Sequence, residues 1–193
     1  MKKFNSLSIY LVLACIISLT AFSCNEKATT AEEVVAEVVV EVIAPPYEPS
    51  PNEEANIKLV TDFIAALFAN DAELAKSMVS SDFMDRGPSA KDSTNIDQMT
   101  ARWATNAVER SNQDPGIFAA NSLQVNEGDF AGQWVHMWGD YSADVNGTEF
   151  KYDVPWHRVF IITDGKISFS QVWYDSLSTA LEFGAVAPVD AAE

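Results

Sequence analysis

The chain has 193 residues, 48% of them hydrophobic and 21% charged, which is typical of one soluble globular domain with appended segments. Twelve basic residues against 28 acidic ones give a formal net charge of −16. Such a surface repels nucleic-acid phosphates and anionic lipid headgroups, so we expect no nucleic-acid partner and no electrostatic adsorption to membranes.

The N-terminus has the pattern of an export signal. Lys2 and Lys3 precede an apolar run over residues 7–22, and polar residues follow at once. The run is shorter than the roughly 20 apolar residues that a membrane-spanning helix requires. We therefore expect a cleaved signal peptide over 1–23 and an exported protein.

The residues at the predicted cleavage point resemble a bacterial lipobox. They are Ala21-Phe22-Ser23-Cys24, with Ala21 where the motif usually has leucine. The resemblance implies that Cys24 is acylated and anchors a lipoprotein on the periplasmic or cell-surface side of a membrane. Cys15 ends a competing match, and an ordinary secretory signal or signal anchor is a further alternative. With both cysteines in this segment, the folded domain has no thiol for catalysis, disulfides or metal binding.

Residues 24–52 are predicted to form an acidic, proline-rich tether. Glu, Val and Ala dominate 31–41, and four prolines follow over 45–51. Glutamates four residues apart repel one another in a helix, and the prolines favour extended backbone. We interpret the segment as a spacer between membrane and domain, with a short ordered element over 35–43 as the alternative.

Helices are predicted at the start of the domain, which we place at 53–184. Ser50-Pro51-Asn52-Glu53 has the pattern of a capping box, and apolar residues at helical spacing follow over 54–69. Asp71 is predicted to cap a second short helix. A turn at Arg86-Gly87-Pro88 leads to a third helix. The residues that mark this third helix are Ile96, Met99, Trp103 and Ala107.

After residue 116 the hydrophobic period changes from 3.6 to 2, which predicts four antiparallel strands joined by glycine-containing turns. Asp175 is expected to cap a last short helix that ends before Gly184, and 185–193 to form a flexible tail. Helices followed by an antiparallel meander define an α+β fold. The predicted strands cover 119–126, 130–141, 150–163 and 166–174.

This order of elements is similar to the NTF2-like cone fold, in particular to its SnoaL-like branch. Glu127-Gly128-Asp129-Phe130-Ala131 opens a strand as in that family, and Asn70-Asp71-Ala72-Glu73 fits its second helix. Residues 159–167 and Trp173-Tyr174-Asp175 resemble its closing hairpin. The resemblance covers about 53–184 and implies three helices packed on a curved sheet, a pocket for a small apolar molecule, and homodimers that pair sheet to sheet. Members include isomerases, cyclases, dehydratases and epoxide hydrolases as well as proteins that only bind, so the fold alone does not fix the function.

One predicted strand supplies a candidate general base. His136 alternates with Trp134 and Trp138 on one face, so on a concave sheet it is an imidazole between two indoles. The two tryptophans are then candidates for the pocket wall. The alternative is a structural histidine in the core or in a dimer interface.

The next strand supplies a candidate cation. Arg158 shares an apolar face with Tyr152 and Trp156, two further candidates for the pocket wall. A buried guanidinium needs a carboxylate partner, which suits an Asp-Arg pair like those of the epoxide-hydrolase branch, or recognition of an anionic ligand. Because proline within a strand indicates an edge or bulge, Pro155 leaves the alternative of a solvated Arg158 and an inward His157.

The helical half adds two candidates. Asp85 follows the second helix, where family members line the pocket mouth, and is either a catalytic base or a solvated loop acid. Trp103 is expected in the core, facing the cavity. The chain has two histidines and no clear carboxylate partner for them, so we expect no metal site. It lacks a glycine-rich phosphate loop, so we expect no cofactor, and it lacks a nucleophile elbow, so we expect no serine nucleophile.

These features together favour a membrane-anchored lipoprotein whose domain binds a small apolar or amphipathic molecule. One alternative is a cofactor-free SnoaL-type isomerase, cyclase or hydrolase that uses acid–base catalysis. The other is a dimeric structural lipoprotein without a ligand.

Overall fold

The computed structural model describes residues 45–187. The predicted signal peptide, Cys15, Cys24 and the alternative element over 35–43 lie outside these residues, as does 188–193. No helix in the described part of the chain has the length and apolar character needed to cross a membrane.

The described residues form four helices, which are the three predicted N-terminal helices and the predicted last short helix, and an eight-stranded mixed sheet, where the sequence predicted an antiparallel sheet of about four strands. The helices are α1 (Glu53–Phe68), α2 (Ala72–Ser77), α3 (Ile96–Glu109) and α4 (Ser176–Glu182). The strands are β1 (Tyr47–Pro49), β2 (Val79–Arg86), β3 (Ser93–Thr94), β4 (Arg110–Asp114), β5 (Ile117–Val125), β6 (Gly132–Val145), β7 (Lys151–Thr163) and β8 (Lys166–Tyr174).

The sheet order is β1-β5-β6-β7-β8-β2-β3, and β4 also pairs with β6. The four predicted strands are β5 to β8, which form an antiparallel meander. The strand β2, in a region predicted as loop, pairs with β8 and is parallel to it. This pairing returns the chain between α2 and α3 to the sheet and brings residues 79–86 beside the meander.

The core lies between α1 and one face of the sheet. Phe63 is fully buried and meets the rings of Phe83 and Phe160 edge-on, with centroids 6.0 and 6.4 Å apart. On β6, Val135 and Met137 are fully buried on the same side. Because side chains alternate along a strand, this face of β6 to β8 is the inner face and the opposite one is the outer face.

The domain starts earlier than predicted. Residues 47–49, which the sequence assigned to the tether, form β1 and pair with β5. The backbone N–H of Ser50 then donates to the carbonyl of Ser122 at 2.9 Å. The predicted capping box of α1 is absent, because the Glu53 carboxylate accepts the backbone N–H of Ser122 at 3.2 Å.

A buried polar cluster fixes this N-terminal junction. The side-chain amide nitrogen of Asn56 lies 2.6 Å from Gln133 Oε1, 3.1 Å from Ser122 Oγ and 3.2 Å from Ser50 Oγ. Ser122 Oγ in turn donates to the carbonyl of Trp134 at 2.9 Å. These hydrogen bonds connect β1, α1, β5 and β6 at one end of the domain.

The other helix ends follow the sequence more closely. Asp71 caps α2 and Asp175 caps α4, with carboxylate-to-nitrogen distances of 3.0 and 2.9 Å. The helix α4 contains no buried residue. Just after it, the Phe183 ring lies against Phe150 and Tyr152, with centroid distances of 3.9 and 5.0 Å.

Candidate functional site

A cavity of about 270 Å³ lies on the inner side of the sheet. Its apolar wall comes from α1, α3, β7 and β8, and it includes the tilted aromatic pair Phe68 and Trp103, whose ring centroids are 4.6 Å apart. The charged residues of the lining are Asp85, Arg102, Arg110 and Arg158. The apolar side chains of the wall are Ile64, Leu67, Phe68, Met99, Trp103, Val154, Trp156 and Val172.

The indole of Trp156 forms part of this wall and is held in place by two neighbours. Its Nε1 donates to the carbonyl of Pro115 at 2.9 Å. Opposite it on β6 is Gly139, where an added Cβ would lie 2.8 Å from the indole and 2.6 Å from the Pro115 oxygen. Only glycine at this position leaves room for the indole to cover β6.

A buried ion pair lies at the cavity between β2 and β7. Arg158 Nη2 lies 3.4 Å from Asp85 Oδ1, and the two side chains are 12% and 3% exposed. Ser170, the β8 residue paired with Asp85, donates its hydroxyl to the same oxygen at 2.5 Å. The solvated-loop interpretation of Asp85 is therefore wrong, and so is the solvated alternative for Arg158.

The proline in β7 does not shift the phase of the strand. Pro155 pairs with Asp140 in an unbroken β6–β7 register, and β8 pairing begins only at Trp156. The missing N–H of Pro155 therefore lies beyond the reach of β8. Arg158 faces inward, and His157 lies on the outer face, contrary to the alternative in which His157 points inward.

Arg110, which the sequence did not single out, is a further charged group at the cavity. Its Nη1 donates to the Tyr141 hydroxyl at 3.2 Å, and that hydroxyl donates to Gln113 Oε1 at 2.9 Å. The guanidinium carbon lies 4.3 Å from the Tyr152 ring centroid, a cation–π distance. Burial raises the pKa of Tyr152, while the charge of Arg110 acts in the opposite direction, so the phenol is neutral at physiological pH.

The predicted base lies away from the cavity. Because Val135 and Met137 face the core, Trp134, His136 and Trp138 lie on the outer face of β6. The expectation that these three residues line the pocket is wrong. The other candidates do line the cavity, namely Asp85, Trp103, Tyr152, Trp156 and Arg158.

On the outer face the rings form a layer that we call the outer aromatic layer, made of Trp134, His136, Trp138, His157 and Trp173. Neighbouring rings are stacked, with centroids 4.8–6.3 Å apart. Burial lowers the pKa of His136, with a smaller contribution from the charge of His157, and burial also lowers the pKa of His157. Within residues 45–187, His157 Nε2 is buried without a hydrogen-bond partner.

The fold is similar to those of several solved proteins. A hypothetical protein with a ketosteroid isomerase-like fold from Catenulispora acidiphila DSM 44928, in complex with trimethylamine, is 18% identical over 70% of this chain and 98% of its own, with a TM-score of 0.53. A putative SnoaL-like polyketide cyclase from Shewanella denitrificans OS-217 is 14% identical over 67% of this chain and 97% of its own, with a TM-score of 0.54. An NTF2-like protein from Burkholderia xenovorans LB400 is 18% identical over 66% of this chain and 95% of its own, with a TM-score of 0.50.

No protein-family model matches the chain, and no curated protein matches it in sequence. The structural neighbours confirm the NTF2-like, SnoaL-like α+β fold. At these identities the likeness concerns the fold alone. The fold is therefore compatible with several functions, and the residues of the cavity distinguish between them.

Proposed function

We propose that this chain is a membrane-anchored lipoprotein whose NTF2-like domain binds a small apolar or amphipathic molecule in the cavity. The observation that carries the proposal is the cavity of about 270 Å³ with a largely aromatic and aliphatic wall. Ligand sites of this kind combine such walls with a few placed polar groups that orient the ligand. The volume lies just below the ~300–1,000 Å³ of drug-sized pockets, which favours a compact ligand.

Filling the cavity tests the binding proposal. Val154→Phe adds a ring to the wall, whereas Val108→Phe makes the same change at an exposed position on α3. The neutral fluorophore N-phenyl-1-naphthylamine is the probe, so that ligand charge plays no part. We expect Val154→Phe to weaken its binding by at least about tenfold, equivalent to ~1.4 kcal/mol, and Val108→Phe to leave it unchanged. Equal binding to both variants would place the probe elsewhere and remove the support for a ligand cavity.

The membrane anchor is tested separately from the cavity. We expect Cys24→Ala to abolish labelling by a fatty-acid probe and to release the protein into the soluble fraction. Cys15→Ala is the matched control and should keep both properties. Labelling that survives Cys24→Ala but is lost in Cys15→Ala would show that Cys15 is the acylated residue.

An acid–base enzyme is the second candidate, because the Asp85 carboxylate reaches the cavity. Catalysis would require Asp85 to accept a proton from a substrate. Its Oδ1 already accepts the Ser170 hydroxyl and lies 3.4 Å from Arg158 Nη2, so this oxygen is occupied by partners within the chain. Binding is therefore the proposal that the arrangement supports better.

We also propose that the outer aromatic layer pairs with a second copy of the chain. Trp173 is 40% exposed, and the other rings of the layer are only partly buried in the single chain. A facing copy would cover this aromatic surface and remove it from water. Sedimentation equilibrium tests this: we expect a dimer that Trp173→Glu dissociates, and a monomeric parent protein would contradict it. A dimer that persists when the cavity binds no probe would favour a structural role.

A further inference from the structure

The charges at the cavity do not cancel. Asp85 and Arg158 neutralise each other in the buried pair. Arg102 lies 3.8 Å from Asp92, and both side chains are substantially exposed. Arg110 forms no ion pair with any residue in the part of the chain that the structure describes. The cavity therefore has a net positive charge in a chain whose formal net charge is −16.

Arg110 is also held in position. The Tyr141 hydroxyl accepts its Nη1 hydrogen, Gln113 accepts the hydroxyl hydrogen of Tyr141, and the Tyr152 ring packs against the guanidinium plane. These neutral contacts fix the guanidinium without neutralising it. Of its five N–H donors, one is assigned to Tyr141, so donors remain for a planar anion.

We infer that the ligand of the cavity is a compact amphipathic anion, with a carboxylate bound by Arg110 and an apolar body held by the aromatic wall. The inference rests on the proposed function and names its ligand class. A guanidinium binds a carboxylate through two parallel charge-assisted hydrogen bonds, a geometry that a neutral head group does not match. Glu109 is close enough to act on Tyr152 and opposes the anion, whereas acidic groups beyond about 8 Å are largely screened by salt at physiological ionic strength.

A matched pair of ligands tests the carboxylate. 3-Phenylpropanoate and 3-phenylpropanol share a skeleton and differ only in the head group, and calorimetry measures both affinities near neutral pH. We expect the acid to bind at least about tenfold more tightly than the alcohol, the low end for a hydrogen bond to a charged group. Equal affinities would overturn the inference.

Variants assign the preference to one residue. Arg110→Gln should reduce the acid-to-alcohol ratio to within about twofold, since the charge-assisted bonds are lost. Lys58→Gln, which removes the same charge from an exposed position on α1, should keep the full ratio. A ratio that persists in Arg110→Gln would contradict the assignment.

The two proposals fail in distinguishable ways. If N-phenyl-1-naphthylamine binds in the cavity but the acid is not preferred, only the anionic ligand is excluded. If neither the fluorophore nor the phenylpropyl compounds bind, the ligand cavity and its anionic ligand are both excluded.

A second variant is available if Arg110→Gln unfolds, which would be seen as loss of the circular dichroism signal. Arg110→Lys keeps the charge without the planar fork. The acid-to-alcohol affinity ratio of Arg110→Lys should then lie between the ratio of the parent protein and a ratio of about one, at which the acid is not preferred. An unchanged ratio would contradict the bidentate arrangement.

Discussion

Gly139 and Trp156 are cross-strand partners, and the indole occupies the space where a side chain at position 139 would be. We predict that Gly139→Ala destabilises the domain by about 1–3 kcal/mol, the usual cost of overpacking. Urea unfolding measures the loss. In a Trp156→Ala background the same change should cost less by at least about 0.5 kcal/mol, because the indole contact is gone. Full additivity of the two changes would contradict this account.

The second prediction concerns the buried ion pair. Asp85→Asn leaves the Arg158 guanidinium without its charge partner in a buried site, and we expect a loss of about 3–5 kcal/mol in the free energy of unfolding. The matched control is Asp82→Asn on the exposed face of the same strand, with an expected change within about 0.5 kcal/mol. Similar losses in the two variants would show that the pair contributes nothing specific.

The third prediction concerns the pH dependence of stability. Burial lowers the pKa values of His136 and His157 below the ordinary value of about 6.5. As pH falls below that value, the unfolded chain takes up protons that the folded domain does not. The stability contribution is therefore present above about pH 6.5 and is lost as pH falls through the lowered pKa values.

We accordingly expect the urea midpoint to fall between about pH 7.5 and about pH 5.5. The chain has two histidines, so His136→Phe combined with His157→Phe removes every imidazole while keeping aromatic rings in the outer aromatic layer. The decrease should be much smaller in this variant. An identical decrease would assign the pH dependence to other groups.

The fourth prediction concerns the N-terminal boundary. A chain that begins at residue 45 retains β1 and the Ser50 contacts, and we expect it to be as stable as a chain that begins at 24. A chain that begins at Asn52 loses the β1–β5 pairing and the buried Ser50 hydroxyl, and we expect a loss of about 1–3 kcal/mol. Equal urea midpoints for the chains beginning at 45 and 52 would show that β1 does not stabilise the domain and belongs to the tether.

The sequence was most informative where one periodicity dominates. The helix predicted over 54–69 is α1 (Glu53–Phe68), and the period-2 segments are β5 to β8. The strands β1, β3 and β4 were missed because they are short and carry no apolar alternation. In β2 the register shifts between Val79 and Met84, which disrupts the alternation that predicts a strand.

The site was predictable only in part, for a physical reason. Both faces of β6 are apolar, so alternation separates Val135 and Met137 from Trp134 and Trp138 but does not say which pair faces the helices. The face with the larger side chains proved to be the outer one. Arg110 follows a helix in a polar run, and only the pairing of β4 with β6 brings it to Tyr141.

The short helix α4 bears on how fast a ligand could exchange with the cavity. Thr179 of α4 lines the cavity, yet the helix has seven residues and none of them is buried. Segments with so little burial open locally at a small fraction of the free energy of global unfolding. Under the proposed binding function, a ligand that leaves past Thr179 would require only the displacement of α4, while the sheet and α1 stay intact. Substitutions in α4 would then change the rate of ligand exchange more than the affinity.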